Sequence, residues 1–301
     1  MDIHIALAPD DNYAKYAACV MRSALANAAP GEKIYFWILD GGLSGESKEL
    51  LSRVSERASF IGIDAGMFAD FPSHGYITVS TWYRFAIASL LPADISRVLY
   101  LDCDVAVASG LGGLFEADLT DYAVAAVKDC IWKKFDARAG LPPEHHYFNA
   151  GVLLINVDYW RKNGVQERLM DFLKDESRLK MMDQTVLNIV LKDEYKELPL
   201  QWNVQYVPPF LEECCYGRGE MRAAMASPKI IHYVNIFKPW NKKLGRLNPL
   251  SGFFTRFMDE PPAQEGCKCA VFAGLLLKKF IKKPLFFLRK DYFNNIKIHA
   301  I

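Results

Sequence analysis

Short apolar runs alternate with longer segments whose apolar positions recur every three or four residues. Residues 3–8 form the first run and predict a strand; residues 13–28 carry a helical pattern that Pro30-Gly31 ends. A second strand is predicted over 33–39, followed by Asp40-Gly41-Gly42, then a helix over 47–57 and a strand over 59–63. Residues 80–91 read as a helix carrying Trp82, Phe85, Ile87 and Leu90, and residues 97–101 as a strand running straight into Asp102-Cys103-Asp104. Farther on, strands are predicted at 122–127 and 151–157, helices at 165–174 and 183–191, and a late strand at 229–233 leads to a loop over 235–240. Strands and helices joined by short links predict an α/β fold, a mostly parallel sheet with helices on both faces. Ligands of such sheets bind beyond the carboxyl ends of the strands, where Asp10 and Asp102 both fall.

The pattern changes near the C-terminus. From Ala270 onward, apolar and aromatic residues interleave with lysine and arginine. Four lysines and a proline interrupt the run 275–288, so it falls short of the ~20 mostly apolar residues that span a bilayer. The residues suit the headgroup region of an anionic membrane; a C-terminal helix packed on the core with solvated lysines fits them as well. The division expected is a main α/β domain over 1–265 and a membrane-associating tail over 266–301.

Composition adds little to this picture. At 301 residues, 51% hydrophobic and 24% charged, the chain is long enough to bury a sizeable core. A net charge of +1 predicts no nucleic-acid partner. The seven cysteines form no CxxC pair, which suits thiols in a reducing compartment better than disulfides or a zinc site. The opening Met1-Asp2-Ile3-His4 lacks a basic stretch, so no secretory leader is predicted and a cytoplasmic location is expected.

Four segments carry candidate chemistry. Asp102 and Asp104, one residue apart at the exit of a buried strand, offer hard oxygen ligands near one point, better suited to Mn²⁺ or Mg²⁺ than to Zn²⁺. A pair of strand-end turn residues would look the same. Between them, Cys103 reads as a small buried filler. An apolar strand delivers His232, with Lys238 six residues on: one imidazole ligand and one phosphate-binding cation, or a satisfied structural histidine. Asn149 sits just before a predicted strand, where its amide suits either a sugar hydroxyl or a strand cap. Asp183 reads as the N-cap of a helix, leaving Gln184 to project.

Together these segments resemble glycosyltransferase family 8, the retaining hexosyltransferases that include bacterial lipopolysaccharide galactosyl- and glucosyltransferases and glycogenin. The resemblance is carried by Leu101-Asp102-Cys103-Asp104, by Asn149-Ala150-Gly151-Val152-Leu153-Leu154-Ile155-Asn156, and by His232 with Lys238-Pro239-Trp240. Ala8-Pro9-Asp10-Asp11-Asn12-Tyr13 and Ser80-Thr81-Trp82-Tyr83-Arg84-Phe85 extend it over roughly residues 2 to 250. It implies a GT-A fold, a single domain with a Rossmann-like sheet, and a UDP-hexose donor. By position, Asp102, Asp104 and His232 would hold Mn²⁺ (or Mg²⁺), and Ala8 to Tyr13 with Cys103 would line the nucleotide site. Arg84, Asn149, Ala150, Asp183 and Gln184 would surround the hexose, Lys238 would hold the β-phosphate, and Asp129 would lie between donor and acceptor. The family pattern has Gly three residues after the metal His; this chain has Asn235, a residue that tolerates left-handed backbone better than most.

The implied reaction transfers galactose or glucose to a saccharide, free or lipid-linked, in cell-surface polysaccharide or lipopolysaccharide synthesis. Gln184 at the sugar is a poor nucleophile, which favours a front-face route over a covalent intermediate. Two other readings share part of the pattern. A sugar nucleotidylyltransferase would place a Gly-rich phosphate loop where Asp10-Asp11-Asn12 stands. A nucleotide-sugar-binding protein without turnover would keep the same carboxylates.

Overall fold

The computed structural model describes residues 1–72, 78–175, 181–207, 214–234 and 236–261. The predicted tail, 266–301, and Asn235 lie outside them. The chain divides into two compact units, one of Met1–Gln205 with Cys215–His232, the other of Tyr206–Cys214 with Tyr233–Ile301.

Among the described residues the first unit holds ten strands: β1 (Asp2–Leu7), β2 (Lys33–Asp40), β3 (Ala58–Gly62), β4 (Arg97–Leu101), β5 (Val105–Val107), β6 (Val124–Lys128), β7 (Phe148–Asn156), β8 (Tyr195–Glu197), β9 (Val204–Gln205) and β10 (Ile230–His232). Seven form one sheet in the order β3-β2-β1-β4-β7-β6-β8, and β5-β10-β9 form a second. In the larger sheet only β7 runs against its neighbours β4 and β6; the other pairings are parallel. The central strands are apolar and buried along almost their whole length, because helices cover both faces. The edge strands β3 and β8 are partly exposed. On one face Trp82, Phe85, Phe148, Trp160, Leu169 and Leu187 belong to a single apolar cluster.

The predicted helix at 80–91 is a correction: Val79–Ala86 is a 3-10 helix, followed by one α turn over Ile87–Leu90. Residues three apart eclipse one another in that tighter helix, and Trp82 stacks edge-on against Phe85 at 5.3 Å, both fully buried. Strand β7 begins earlier than its apolar run suggests, so Asn149 lies within it and is not a residue before it. Met182, not Asp183, occupies the N-cap of the helix Asp183–Val190. No helix among the described residues is long and apolar enough to cross a membrane.

Two features of this topology set up a site. The carboxyl ends of parallel β1, β4 and β6 lie at the same edge of the sheet as the start of antiparallel β7. Asp10, Asp102, Asp129 and Asn149 follow or open those strands. The turn Asp102-Cys103-Asp104 then carries the chain from β4 into β5, and the small sheet sets His232 opposite Val105 and beside Gln205.

In the second unit, the Tyr233 hydroxyl donates to Leu250 O at 2.8 Å, and Phe254 packs against both Tyr233 and Trp240. Gly245 lies so close to the 238–239 backbone that an added Cβ would come within 2.8 Å of Lys238 O.

Candidate active site

Asp102, Asp104 and His232 bring one ligand atom each to within 4.8 Å of one another. His232 Nε2 is 3.1 Å from Asp104 Oδ1 and 3.9 Å from Asp102 Oδ2. Two carboxylates and an imidazole are the donor set of a divalent cation that favours oxygen, so the residues fit such an ion. Like charges about 4 Å apart repel by roughly 4 kcal/mol at an effective dielectric near 20. A cation at this point would relieve that repulsion.

Asp102 is steadied from behind. Arg84, almost fully buried, donates from Nη2 to Asp102 Oδ1 at 2.9 Å and from Nη1 to Ala150 O at 2.7 Å, and its Nη1 lies 3.4 Å from Asp183 Oδ2. Its guanidinium stacks 4.2 Å from the Tyr100 ring. Burial pushes the Asp183 carboxyl up to about 6; Arg84 opposes that rise and Asp102 adds to it. Burial also holds the Cys103 thiol well above its ordinary range, and the two flanking aspartates raise it further. Cys103 is thus a neutral, buried side chain, as its size suggested.

Two amides, buried Asn149 and half-buried Gln184, run from there toward β6. Asn149 Nδ2 donates to Asp129 Oδ2 at 3.0 Å, and Gln184 Nε2 donates to the same oxygen at 3.3 Å. Gln184 Oε1 accepts from Ala150 N at 3.0 Å. Burial raises the Asp129 pKa, against the hydrogen bonds from Asn149, Ile131 and Gln184. The register of β6 on β7 shifts between Ala126 and Lys128, just ahead of Asp129, a device common where a strand re-aims a side chain beside a site.

The remaining expected residues lie nearer the end of β1 and in the second unit. Asp10 Oδ1 accepts from Tyr13 N at 2.9 Å and so closes the turn that leads into the helix Ala14–Ala26. The exposed Asp11 accepts from the Ser44 amide and hydroxyl at 3.0 and 2.9 Å. The Tyr13 hydroxyl is driven to its neutral form by burial first, then by the charge of Asp104. Ala8 is buried at the end of β1, and Pro9 follows it. Lys238 belongs to the second unit.

Three contributors escaped sequence reasoning. Gly151 is one: a Cβ there would fall 2.2 Å from His232 Cε1 and 2.7 Å from Asp102 Oδ2, so only glycine lets the imidazole approach the carboxylates. Asn203 and Gln205, both fully buried, flank Val204 in the small sheet. Amides at alternate positions of an otherwise apolar stretch were the available signal, since they mark one polar face of a strand.

The glycosyl transferase family 8 profile matches residues 4–243. The chain belongs to this family. It is 30% identical over 250 residues to General stress protein A of Bacillus subtilis (strain 168), covering 79% of this chain and 87% of the relative. It is also 30% identical over 242 residues to the lipopolysaccharide 1,2-glucosyltransferase of Escherichia coli, covering 77% of this chain and 71% of that protein. The solved galactosyltransferase LgtC, in complex with donor and acceptor sugar analogs, superposes with a TM-score of 0.71 at 26% identity, covering 88% of this chain and 98% of LgtC. The fold is GT-A and the chain is a glycosyltransferase of this family, whose donors are nucleotide sugars and whose acceptors are saccharides. Neither the nucleotidylyltransferase nor the non-catalytic reading survives that assignment.

Two outcomes follow from the geometry. Gly151→Ala should abolish divalent-cation binding in calorimetry while leaving the far-ultraviolet circular dichroism unchanged; unaltered binding would show that His232 does not need that space. The second concerns Asp183, whose carboxyl is raised to about 6 from an ordinary value near ~3.9. The folded protein binds this proton more tightly than the unfolded chain. Its contribution to stability is therefore full below about pH 4 and lost as pH rises through about 6, roughly 3 kcal/mol in all. Asp183→Asn should gain on the wild type between about pH 4 and 6 in denaturant melts with EDTA, and parallel pH profiles would contradict this assignment.

Proposed function

We propose that this chain is a retaining hexosyltransferase that moves galactose or glucose from a UDP-sugar onto a saccharide or lipid-linked saccharide at the cytoplasmic face of a membrane. The observation that carries the reading is the convergence of Asp102, Asp104 and His232 within 4.8 Å at the sheet's ligand-binding edge. Relatives named as a lipopolysaccharide 1,2-glucosyltransferase and, in Salmonella typhimurium, a lipopolysaccharide 1,3-galactosyltransferase support a role in cell-surface polysaccharide synthesis.

In this reading Asp102, Asp104 and His232 hold Mn²⁺ or Mg²⁺, which supplies Lewis acidity at the departing diphosphate. Residues 8–13 and Cys103 line the uridine side, with Asn235 and Lys238 assigned to the phosphates. Arg84, Asn149, Ala150, Asp183 and Gln184 surround the hexose. Arg84 fixes the Asp102 carboxylate and the Ala150 carbonyl together, so donor and diphosphate subsites share one anchor. Gln184 acts by orientation: its oxygen is engaged by the Ala150 amide and its nitrogen by Asp129, which suits a support for the sugar and not a nucleophile. The acceptor hydroxyl would then attack from the leaving-group face, with Asp129 at the boundary between the two substrates.

Purified protein given Mn²⁺ and a panel of sugar nucleotides should slowly hydrolyse a UDP-hexose. Asp104→Ala should abolish that turnover, and EDTA should do so reversibly on Mn²⁺ addition. Full activity in EDTA would contradict the metal reading.

The tail, 266–301, is assigned to an anionic membrane surface on its composition. Lys278, Lys279, Lys282 and Lys283 contribute about 1 kcal/mol each near such a surface. Changing all four to Gln in the full chain should weaken co-sedimentation with anionic vesicles by roughly 10²–10³-fold and leave donor hydrolysis intact. Vesicle binding that survives the change would remove the tail from this role.

A further inference from the structure

The buried amides of the site admit one consistent orientation, and that orientation fixes a proton on His232. The starting point is a group whose direction is beyond choice. Gly151 N–H is a backbone donor, and it meets Asn149 Oδ1 at 3.0 Å. Asn149 Nδ2 then faces Asp129 Oδ2 at 3.0 Å, donor to acceptor. Flipping Asn149 would set its NH₂ against the Gly151 N–H and its oxygen against the carboxylate, losing two bonds at once.

With Asn149 fixed, Asn203 has no freedom either. It donates from Nδ2 to Asn149 Oδ1 at 2.9 Å, so its Oδ1 is the atom 3.2 Å from His232 Nδ1. An amide oxygen only accepts. Nδ1 of His232 must therefore carry a hydrogen, which in the neutral ring leaves the Nε2 lone pair for the point it shares with Asp104 and Asp102. Asn203 is fully buried, where an unmade bond costs most.

We propose that Asn203 is a positioning residue of the metal site, holding His232 as the Nδ1–H tautomer and tying its imidazole through Asn149 to Asp129. The inference rests on the reading of Asp102, Asp104 and His232 as metal ligands. The partner that holds the far nitrogen of a metal-binding histidine sets its tautomer and ring orientation. A neutral amide suits this place better than a carboxylate. It adds no third negative charge beside Asp102 and Asp104, and it keeps the N–H that Asn149 Oδ1 requires. The same bonds link the cation's imidazole to Asp129, on which Gln184 also converges, so metal and sugar sides of the site are held in one hydrogen-bonded frame.

The test is ¹⁵N NMR of the imidazoles in the metal-free protein at a pH where His232 is neutral, with Mn²⁺ affinity measured separately. In the wild type, His232 Nδ1 should show the protonated shift and Nε2 the unprotonated one. Asn203→Leu should erase that preference and weaken Mn²⁺ binding about 10–100-fold. Asn203→Asp, still an acceptor for His232, should keep the Nδ1–H signature. An unprotonated Nδ1 in the wild type overturns the proposal without recourse to any variant. So does an Asn203→Leu protein that keeps both tautomer and affinity. Wild-type protein that binds no Mn²⁺ would overturn the metal reading beneath it, a result distinct from a tautomer that comes out wrong.

Discussion

The contact between buried Arg84 and half-buried Asp102 is the interaction on which the site depends. A strand that exits a hydrophobic sheet into Asp-Cys-Asp places two carboxylates where water is scarce, and a third, Asp183, lies within reach. Arg84 meets two of the three while its remaining donors bind the Thr81 and Ala150 carbonyls. A buried ion pair gains little net stability, but removing one partner strands an uncompensated charge at a cost of about 3–5 kcal/mol. That asymmetry explains why Arg84 sits on a 3-10 segment locked into the core by Trp82 and Phe85: its position must be as fixed as the strand it answers to. The arrangement neutralises Asp102 from behind and leaves the other side of the carboxylates for a cation.

Close approach is the second constraint. His232 arrives from the small sheet, and it reaches the carboxylates of the large one only over the bare backbone of Gly151. Antiparallel β7 thus serves twice, presenting Asn149 at its start and clearing space two residues on. Because Asn149, Gly151, Asn203 and His232 are joined by directional bonds, a small displacement of one is felt by the others. Asp129 and the His232 imidazole are therefore parts of one hydrogen-bonded frame.

Much of this was legible in the chain itself. Buried parallel strands announce themselves as apolar runs, and the ligands of an open α/β sheet gather at strand ends, so Asp102, Asp104 and His232 stood out. Asn149, Asp183 and Gln184 stood at the openings of predicted elements, and family resemblance added Arg84 and Asp129, which no periodicity could have marked. The failures have physical causes. Helical spacing does not separate 3-10 from α over two short turns, which hid the geometry at 79–86. The reversal of β7 is invisible to hydrophobicity, because a strand buried on both faces reads the same in either direction. Asn203 falls between the predicted helix at 183–191 and the predicted strand at 229–233, and its importance depends on a partner 29 positions away. Asp10 and Asp11 show how local bonds complement sequence reading: Asp10 meets the Tyr13 amide and Asp11 meets Ser44, pairings that no spacing announced.

The central claim is that a divalent cation sits between Asp102, Asp104 and His232 when a nucleotide-sugar donor is bound. Anomalous diffraction from crystals grown with Mn²⁺ and a UDP-hexose tests this directly. The account predicts a manganese peak bonded to both carboxylates and to His232 Nε2, with the diphosphate on its open side. Strong donor density with no anomalous peak there, or a peak coordinated by other residues, would contradict it.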